Sequence, residues 1–493
     1  MRVTSVAAAC ALALGGCTVG PDYQAPAGNV PSAWQASPAT PSTPAVPLDR
    51  AAVPEDGLHW WRRHGDPTLD SLVEQALVQG FSVRTAAARV AAARAQQRAT
   101  ASGNLPAVDI GAGASRQENT FAGIAPEMDF NLLNAGFDAR WELDVFGRRA
   151  RREEAAGARV EAALADQQAA HLVVAAEVAR TYWKLRMTEA RQALVAEALG
   201  IHRELEALAS RRLEAGTGTR MDLLALVAAG ERLAGTRPAL AAQRTLAERQ
   251  LELLLALEPG ALTTRLATPV TQVEPALGVL PELLLTPAEV LAQRPDIRRA
   301  ERRFAEAVAM RGAAEADRYP RFSFAVLMGL ANTSIGSLFS AASESLLAGG
   351  QVVMPLFDAG RLRAAVDLSD AAVTEALVVY EQTSLSTLHE VESALTRLGE
   401  ESRHVQRLDA EVVALTQRLD LSMRRHAVGV TDRVELLQAS LDLNDARQRR
   451  VMADGRLRSQ GVALMKALGV GLPASDETSQ APQSPGAGSR REP

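Results

Sequence analysis

The chain has 493 residues, with 53 lysines and arginines against 58 aspartates and glutamates, for a formal net charge of -5. So slight an acidic excess argues against nucleic acid as the main partner. The seven histidines stand singly and the two cysteines, Cys10 and Cys17, lie near the start, so no cofactor, disulfide framework or closed metal site is expected.

Residues 1–16 read as an export signal, because Arg2 precedes an apolar run from Val6 to Leu14 that is too short to span a bilayer. The run closes with Leu14-Gly15-Gly16-Cys17, the pattern of a bacterial lipoprotein signal, in which the Cys17 thiol takes diacylglycerol and cleavage leaves it as the first mature residue. Loss of Cys10 with the signal leaves Cys17 alone, and several acyl chains on one residue hold a bilayer far more firmly than one. Thr18 follows, where an Asp would direct inner-membrane retention, so the outer-membrane route is expected. Residues 17–67 form a lipidated N-terminal segment, rich in Gly and Pro, expected to run extended over the surface.

Beyond residue 67 the chain repeats itself. A shift of 213 residues lays Gly147-Arg148 over Gly360-Arg361, Glu177 over Glu390, Gly216 over Gly429 and Leu223-Leu224 over Leu436-Leu437. At a shift of 214, Leu105-Pro106 meets Tyr319-Pro320. This is a tandem duplication, with repeat 1 at 68–257, a linker at 258–286, repeat 2 at 287–470 and a disordered polar tail at 471–493.

Each repeat opens with a helix, roughly 68–104 and 287–317, followed by a strand pair at about 107–116 with 134–145 and at 321–331 with 348–357. The residues between paired strands, 117–133 and 332–347, are long enough for exposed loops. Strict alternation through Phe137, Ala139, Trp141, Leu143 and Val145 sets Asp138, Arg140, Glu142 and Asp144 on the opposite face, and Asp109 alternates with Val108 and Ile110 in the same way. Leu327 interrupts the polar face of the third strand, and the fourth, GGQVVMPLF, is weakest because Pro355 lies inside it. Arg148, Arg149, Arg151 and Arg152 make the densest basic patch, but Glu153 and Glu154 follow at once, as in a solvated helix start near phosphate headgroups.

Long helices follow, about 148–214 and 361–426, free of proline and rich in Ala, Leu, Glu, Arg and Gln. At 1.5 Å per residue each approaches about 100 Å, too long for a single globular core. Glycine-bearing turns at 215–219 and 427–431 then reverse the chain into return helices at about 220–257 and 432–468. Four strands with one oily and one wet face cannot close a barrel, and an open sheet edge cannot sit in lipid, so the wall must be shared between subunits. Two copies would give eight strands and three would give twelve. The strands leave that choice open, while a wide lumen surrounded by helices favours three.

These features resemble the outer membrane factor family, the TolC-like outer membrane efflux proteins, and in particular their lipoprotein branch. The resemblance is carried by CTVGPDYQAP from Cys17 to Pro26, the duplicated layout, the Leu-Pro and Tyr-Pro strand entries, PLFDAGR from Pro355 to Arg361, ALGVG from Ala467 to Gly471 and the two tip turns. It implies a mixed membrane β-barrel and long α-helical barrel, in which a homotrimer contributes four strands per protomer to a shared twelve-stranded barrel. The implied partners are a periplasmic adaptor (membrane fusion protein), an inner-membrane efflux transporter and outer membrane lipid. The tip turns Gly216, Thr217, Gly218, Thr219 and Val428, Gly429, Val430, Thr431 become adaptor contacts. Arg212, Asp222, Arg424, Arg425, Asp432 and Glu435 become candidates for the gate that closes the tunnel at rest. Asp109, Asp138, Arg140, Glu142 and Asp144 would line the barrel lumen.

The expected function is a passive duct exporting small molecules such as drugs, with energy supplied by the inner-membrane partner, since no phosphate-cradling glycine loop is present. Type I protein secretion on the same architecture, and a non-conducting envelope-spanning lipoprotein, are the alternatives. No Ser/His/Asp set or paired carboxylates point to an enzyme.

Overall fold

A computed structural model describes residues 18–26, 30–36, 59–119, 128–266 and 285–470. The expected signal at 1–16, Cys17, most of the segment up to 58, the stretch 267–284 of the linker and the tail from 471 lie outside the described residues.

After a short 3-10 turn at Trp60–His64 come helices α1 (Pro67–Gln79) and α2 (Phe81–Ser102), then strands β1 (Ala107–Asn119) and β2 (Met128–Leu143). Helix α3 (Arg148–Glu214) is followed by α4 (Arg220–Ala234) and α5 (Thr236–Leu254). The second half runs α6 (Pro287–Gln293), α7 (Pro295–Ala316), β3 (Arg321–Asn332), β4 (Glu344–Val353), α8 (Arg361–Ala427) and α9 (Arg433–Leu468). Both long helices are unbroken for 67 residues, about 100 Å each.

Three of the expected helices are divided. The first breaks at Gly80, glycine being the least favoured ordinary residue of a helix interior. The opening helix of the second half breaks at Arg294, because Pro295 has no N–H and begins a helix more readily than it continues one. The first return helix breaks at Gly235, where Pro238 can give no bond to the Ala234 carbonyl and its ring crowds that oxygen.

The strands form one antiparallel sheet in the order β1-β2-β3-β4. Its register puts Ile110, Phe137, Met328 and Leu346 in one row across all four strands, with Val108, Ala139, Val326 and Ala348 in the next row of that face. Asp109, Asp138, Leu327 and Leu347 share a row on the other face, so the leucine that interrupts the polar pattern of β3 stands opposite another leucine on β4. Ile110, Phe137, Met328 and Leu346 are exposed in the single chain. Among the described residues the outer edges of β1 and β4 have no strand partner.

β4 lies about four residues earlier than its expected 348–357, and Pro355 falls outside it. A proline cannot donate to the ladder, and β3 sets the register instead, pairing Leu327 with Leu347. The β3–β4 loop is therefore shorter than expected. Asn332 closes it, accepting from Thr333 N at 2.7 Å and Ser337 Oγ at 2.9 Å while its amide donates to Ser343 Oγ at 2.6 Å. The β1–β2 connection, 120–127, lies outside the described residues.

The described residues divide into two compact units, one drawn from within 1–30, 85–167 and 294–386, the other from within 31–84, 168–293 and 387–493. The first holds the sheet. The second holds the larger apolar core, where Trp60, Trp61, Leu69, Leu72, Tyr182, Trp183, Leu251 and Met465 pack together. Within that core Asp66 caps α1, accepting from Thr68 N at 2.9 Å, and also accepts the Tyr182 hydroxyl. Arg186 Nε donates to the same hydroxyl at 3.0 Å, and the Arg458 guanidinium lies 4.4 Å above the Trp183 ring.

Candidate functional site: the tip turns and the sheet rim

Both tip turns close by one device. Gly216 (φ 71°) and Gly429 (φ 77°) take the left-handed conformation that reverses a helix without side-chain penalty. In the first turn, Thr217 N and Gly218 N donate to the Arg212 carbonyl at 2.8 and 3.0 Å, using acceptors that the helix end leaves free. Thr219 and Asp222 form a reciprocal capping box at the start of α4, with Asp222 N donating to Thr219 Oγ1 at 3.1 Å.

In the second turn, Val430 N donates to the Arg425 carbonyl at 2.9 Å and His426 Nδ1 donates to the Thr431 carbonyl at 2.9 Å. Thr431 itself is buried, whereas Val428 and Val430 stand exposed at the turn. Asp432 caps α9 by accepting from Glu435 N at 2.9 Å.

Of the six candidate gate residues, the structure joins Arg212 to Asp432 at 2.6 Å, linking the end of α3 to the cap of α9. The hydrogen bond from Glu435 N, and after it the Arg212 guanidinium, hold the Asp432 carboxyl below the usual carboxylate range. Arg424 pairs along its own helix with Asp420 at 2.8 Å, and Asp222 is engaged in its capping box. A second link between α3 and α9, Glu204 to Arg433 at 2.7 Å, was not legible in the sequence, because partners 229 positions apart leave no local signal.

At the sheet rim, Asp109 stands directly opposite Asp138, and Asp138 pairs with Arg140 two residues along the strand. Glu142 accepts from Arg148 at 2.6 Å and Arg149 at 3.1 Å, binding the end of β2 to the start of α3. Asp144 lies just past the strand and accepts from Ala150 N at 2.7 Å, which satisfies a first-turn donor of α3. Asp109, Asp138, Arg140 and Glu142 thus share one sheet face, while Asp144 belongs to the strand-to-helix junction. Trp141, on the opposite face, donates its indole N–H to the Asn104 carbonyl at 3.0 Å. The basic patch is not uniformly solvated as the sequence led us to expect: Arg152 is exposed, but Arg151 is buried.

A sheet with one apolar exposed face that passes directly into helices of this length, which reverse at glycine turns, defines a membrane channel of the barrel-and-tunnel class. The chain belongs to the outer membrane efflux protein family, whose model matches residues 72–257 and 286–470. It is 30% identical over 484 residues, 96% of each chain, to the antibiotic efflux pump outer membrane protein ArpC of Pseudomonas putida. It is 28% identical over 468 residues, 94% of this chain and 97% of the other, to the cation efflux system protein CusC of Escherichia coli O6:H1. Among solved structures, the outer-membrane channel OprN matches with a TM-score of 0.80 at 31% identity, covering 92% of this chain and 99% of that one. The protein is an outer membrane efflux component, with a helical barrel joined to a β part.

Proposed function

We propose that three copies of this chain, each giving four strands, close a twelve-stranded barrel in the outer membrane, and that their helices enclose a passive exit duct in the periplasm. Repeat 1 (68–257) and repeat 2 (287–470) supply equivalent halves of the wall, and the linker 258–286 lies at the equator. The observation that carries this reading is the open sheet. Among the described residues its two outer edges have no strand partner and stand beside an exposed apolar face, an arrangement that cannot persist in hydrocarbon unless neighbouring copies complete the ladder. Imaging of the purified protein in detergent should give a ring of three around an open centre. A compact single particle overturns the reading.

In this reading a periplasmic adaptor meets the two tip turns, Gly216 to Thr219 and Val428 to Thr431, the second of which offers exposed apolar surface at Val428 and Val430. An inner-membrane transporter supplies the energy, and solutes such as drugs pass unchanged, without a catalytic step. Acyl chains on Cys17, exposed by removal of residues 1–16, add a lipid anchor. Asp109, Asp138, Arg140 and Glu142 line the lumen, where the excess of carboxylates favours cations.

The pair Arg212–Asp432 belongs to the gate. With side chains 47% and 53% exposed, such a pair contributes only about 0.2–1 kcal/mol, as suits a contact that must break for transport. Arg212→Ala and Asp432→Ala are each expected to raise open probability a few-fold in planar-bilayer recordings. The double variant should gain little over either single one. Conductance unchanged in all three removes this pair from the gate.

A further inference from the structure

The segment after Cys17 is held in place by a dense set of contacts. Val19 N donates to the Phe146 carbonyl at 3.1 Å, between the end of β2 and the start of α3. Thr18 packs on Gly147, where a Cβ would come within 2.7 Å of Thr18 Cγ2. Gly20, at φ 96°, lies so close to α7 that a Cβ on it would come within 2.6 Å of the Gly312 Cα.

Beneath this crossing lies Arg151, its side chain 7% exposed. It donates to Asp22 at 2.7 Å and Glu154 at 2.9 Å, and reaches the Gly20 carbonyl at 3.4 Å. Tyr23 completes the attachment, its hydroxyl donating to Glu301 at 2.6 Å and its ring lying under the Arg302 guanidinium at 5.3 Å. An extended strap with no ladder of its own stays in one register only if such contacts fix it, and a buried guanidinium is tolerated only where its donors are met.

We propose that Arg151 is the positioning residue that seats the N-terminal strap at the foot of the sheet, with Gly312 giving the close approach the seat requires. The proposal deepens the reading above and rests on its lipidation of Cys17. Neighbouring Cα atoms are about 3.8 Å apart, so Thr18, seated against Gly147, ties the acylated residue that precedes it to the β2–α3 junction through a single peptide link. Its acyl chains then enter the leaflet that the lower rim of the sheet meets. A strap released from the seat would leave the anchor free to wander by about 3.5 Å for each residue freed, and lipid and barrel would no longer be held at a common depth.

The test uses the full-length protein in outer membrane vesicles. N-terminal peptide mass reports acylation of Cys17, and chymotrypsin cleavage after Tyr23 reports release of the strap. Arg151→Ala should be acylated normally but cut about tenfold faster than the parent, since cleavage follows the population of the opened strap. Arg151→Lys should fall between. Bimane attached at Thr18→Cys should be quenched at one depth by headgroup-labelled lipid in the parent background and over a spread of depths with Arg151→Ala, a change that mere loss of stability would not give. Asp22→Ala is the safeguard should Arg151→Ala fail to assemble, because the Asp22 side chain is 86% exposed and Arg151 keeps its bond to Glu154 without it. Cleavage and depth unchanged in Arg151→Ala, or in Asp22→Ala where it must stand in, overturn the proposal. So does an unacylated Cys17 in the parent, which leaves the exit-duct reading standing because that reading needs no lipid.

Discussion

Replacing Asp66 with alanine is expected to destabilise the unit that contains the apolar core by about 2–4 kcal/mol, combining the loss of a helix cap with a buried hydroxyl left without an acceptor. One carboxylate oxygen accepts from Thr68 N at 2.9 Å and Leu69 N at 3.3 Å, and the other accepts the hydroxyl of the fully buried Tyr182. Loss of the cap alone costs about 1 kcal/mol, and an unmet buried polar group about 1–3 kcal/mol more. Arg186, buried beside them, keeps its bond to Glu189 at 2.9 Å, so the damage stops short of an unpaired charge. Asp66→Asn preserves the cap acceptor and should cost roughly half as much. Thermal unfolding followed by circular dichroism at 222 nm orders the variants. Tyr182→Phe should cost less in the Asp66→Ala background than in the parent, since the hydroxyl has already lost its acceptor. Additive losses would mean that the two side chains act separately.

Features that repeat at short range were legible in the sequence. The long helices show themselves as proline-free runs of good helix formers, and their ends as Gly147, Gly216, Gly360 and Gly429, all of which take positive φ. The alternation of β2 identifies its faces because each polar residue from Asp138 to Glu142 has an apolar neighbour on either side. β4 gave no such signal. Ala348, Gly349 and Gly350 fit either face, so its position is set by pairing with β3, which a local pattern does not contain. The helix breaks at Gly80 and Pro295 were visible as single residues but were outweighed by the length of the helical pattern around them.

Long-range polar contacts were invisible for a different reason. Asp66 and Tyr182 are 116 residues apart, and neither residue type nor spacing announces that they will meet in a core. The run of basic residues around Arg151 has the local pattern of a solvated helix start, although the Arg151 side chain is buried against a strap 129 residues earlier. The isolated glycine at 312, inside a helical pattern, is the signal that backbone passes close there. At the tips the turn residues were legible and the pairing of Arg212 with Asp432 was not, because the turns are local while the pair joins two hairpins.

The same core makes stability depend on pH. His64 sits between the Trp60 and Trp183 rings, with centroids 6.3 and 5.2 Å away. Burial, aided by the nearby Arg458 guanidinium and opposed by Asp66, pushes its pKa down from 6.5 to about 4. Between those values the unfolded chain holds a proton on this ring that the folded chain does not, so stability rises with pH across the window and is lost as pH falls from 6.5 towards 4. At about 1.4 kcal/mol per unit, the full loss approaches about 3–4 kcal/mol. Above 6.5 the ring is neutral in both states and contributes no slope. His64→Gln, which keeps a polar side chain but does not titrate, should flatten the melting-temperature profile between pH 4 and 6.5 while changing it little at pH 8. The neighbouring carboxylates titrate in both proteins, so the difference between the two profiles isolates the histidine. Parallel profiles would mean that the acid sensitivity of this core arises from its carboxylates instead.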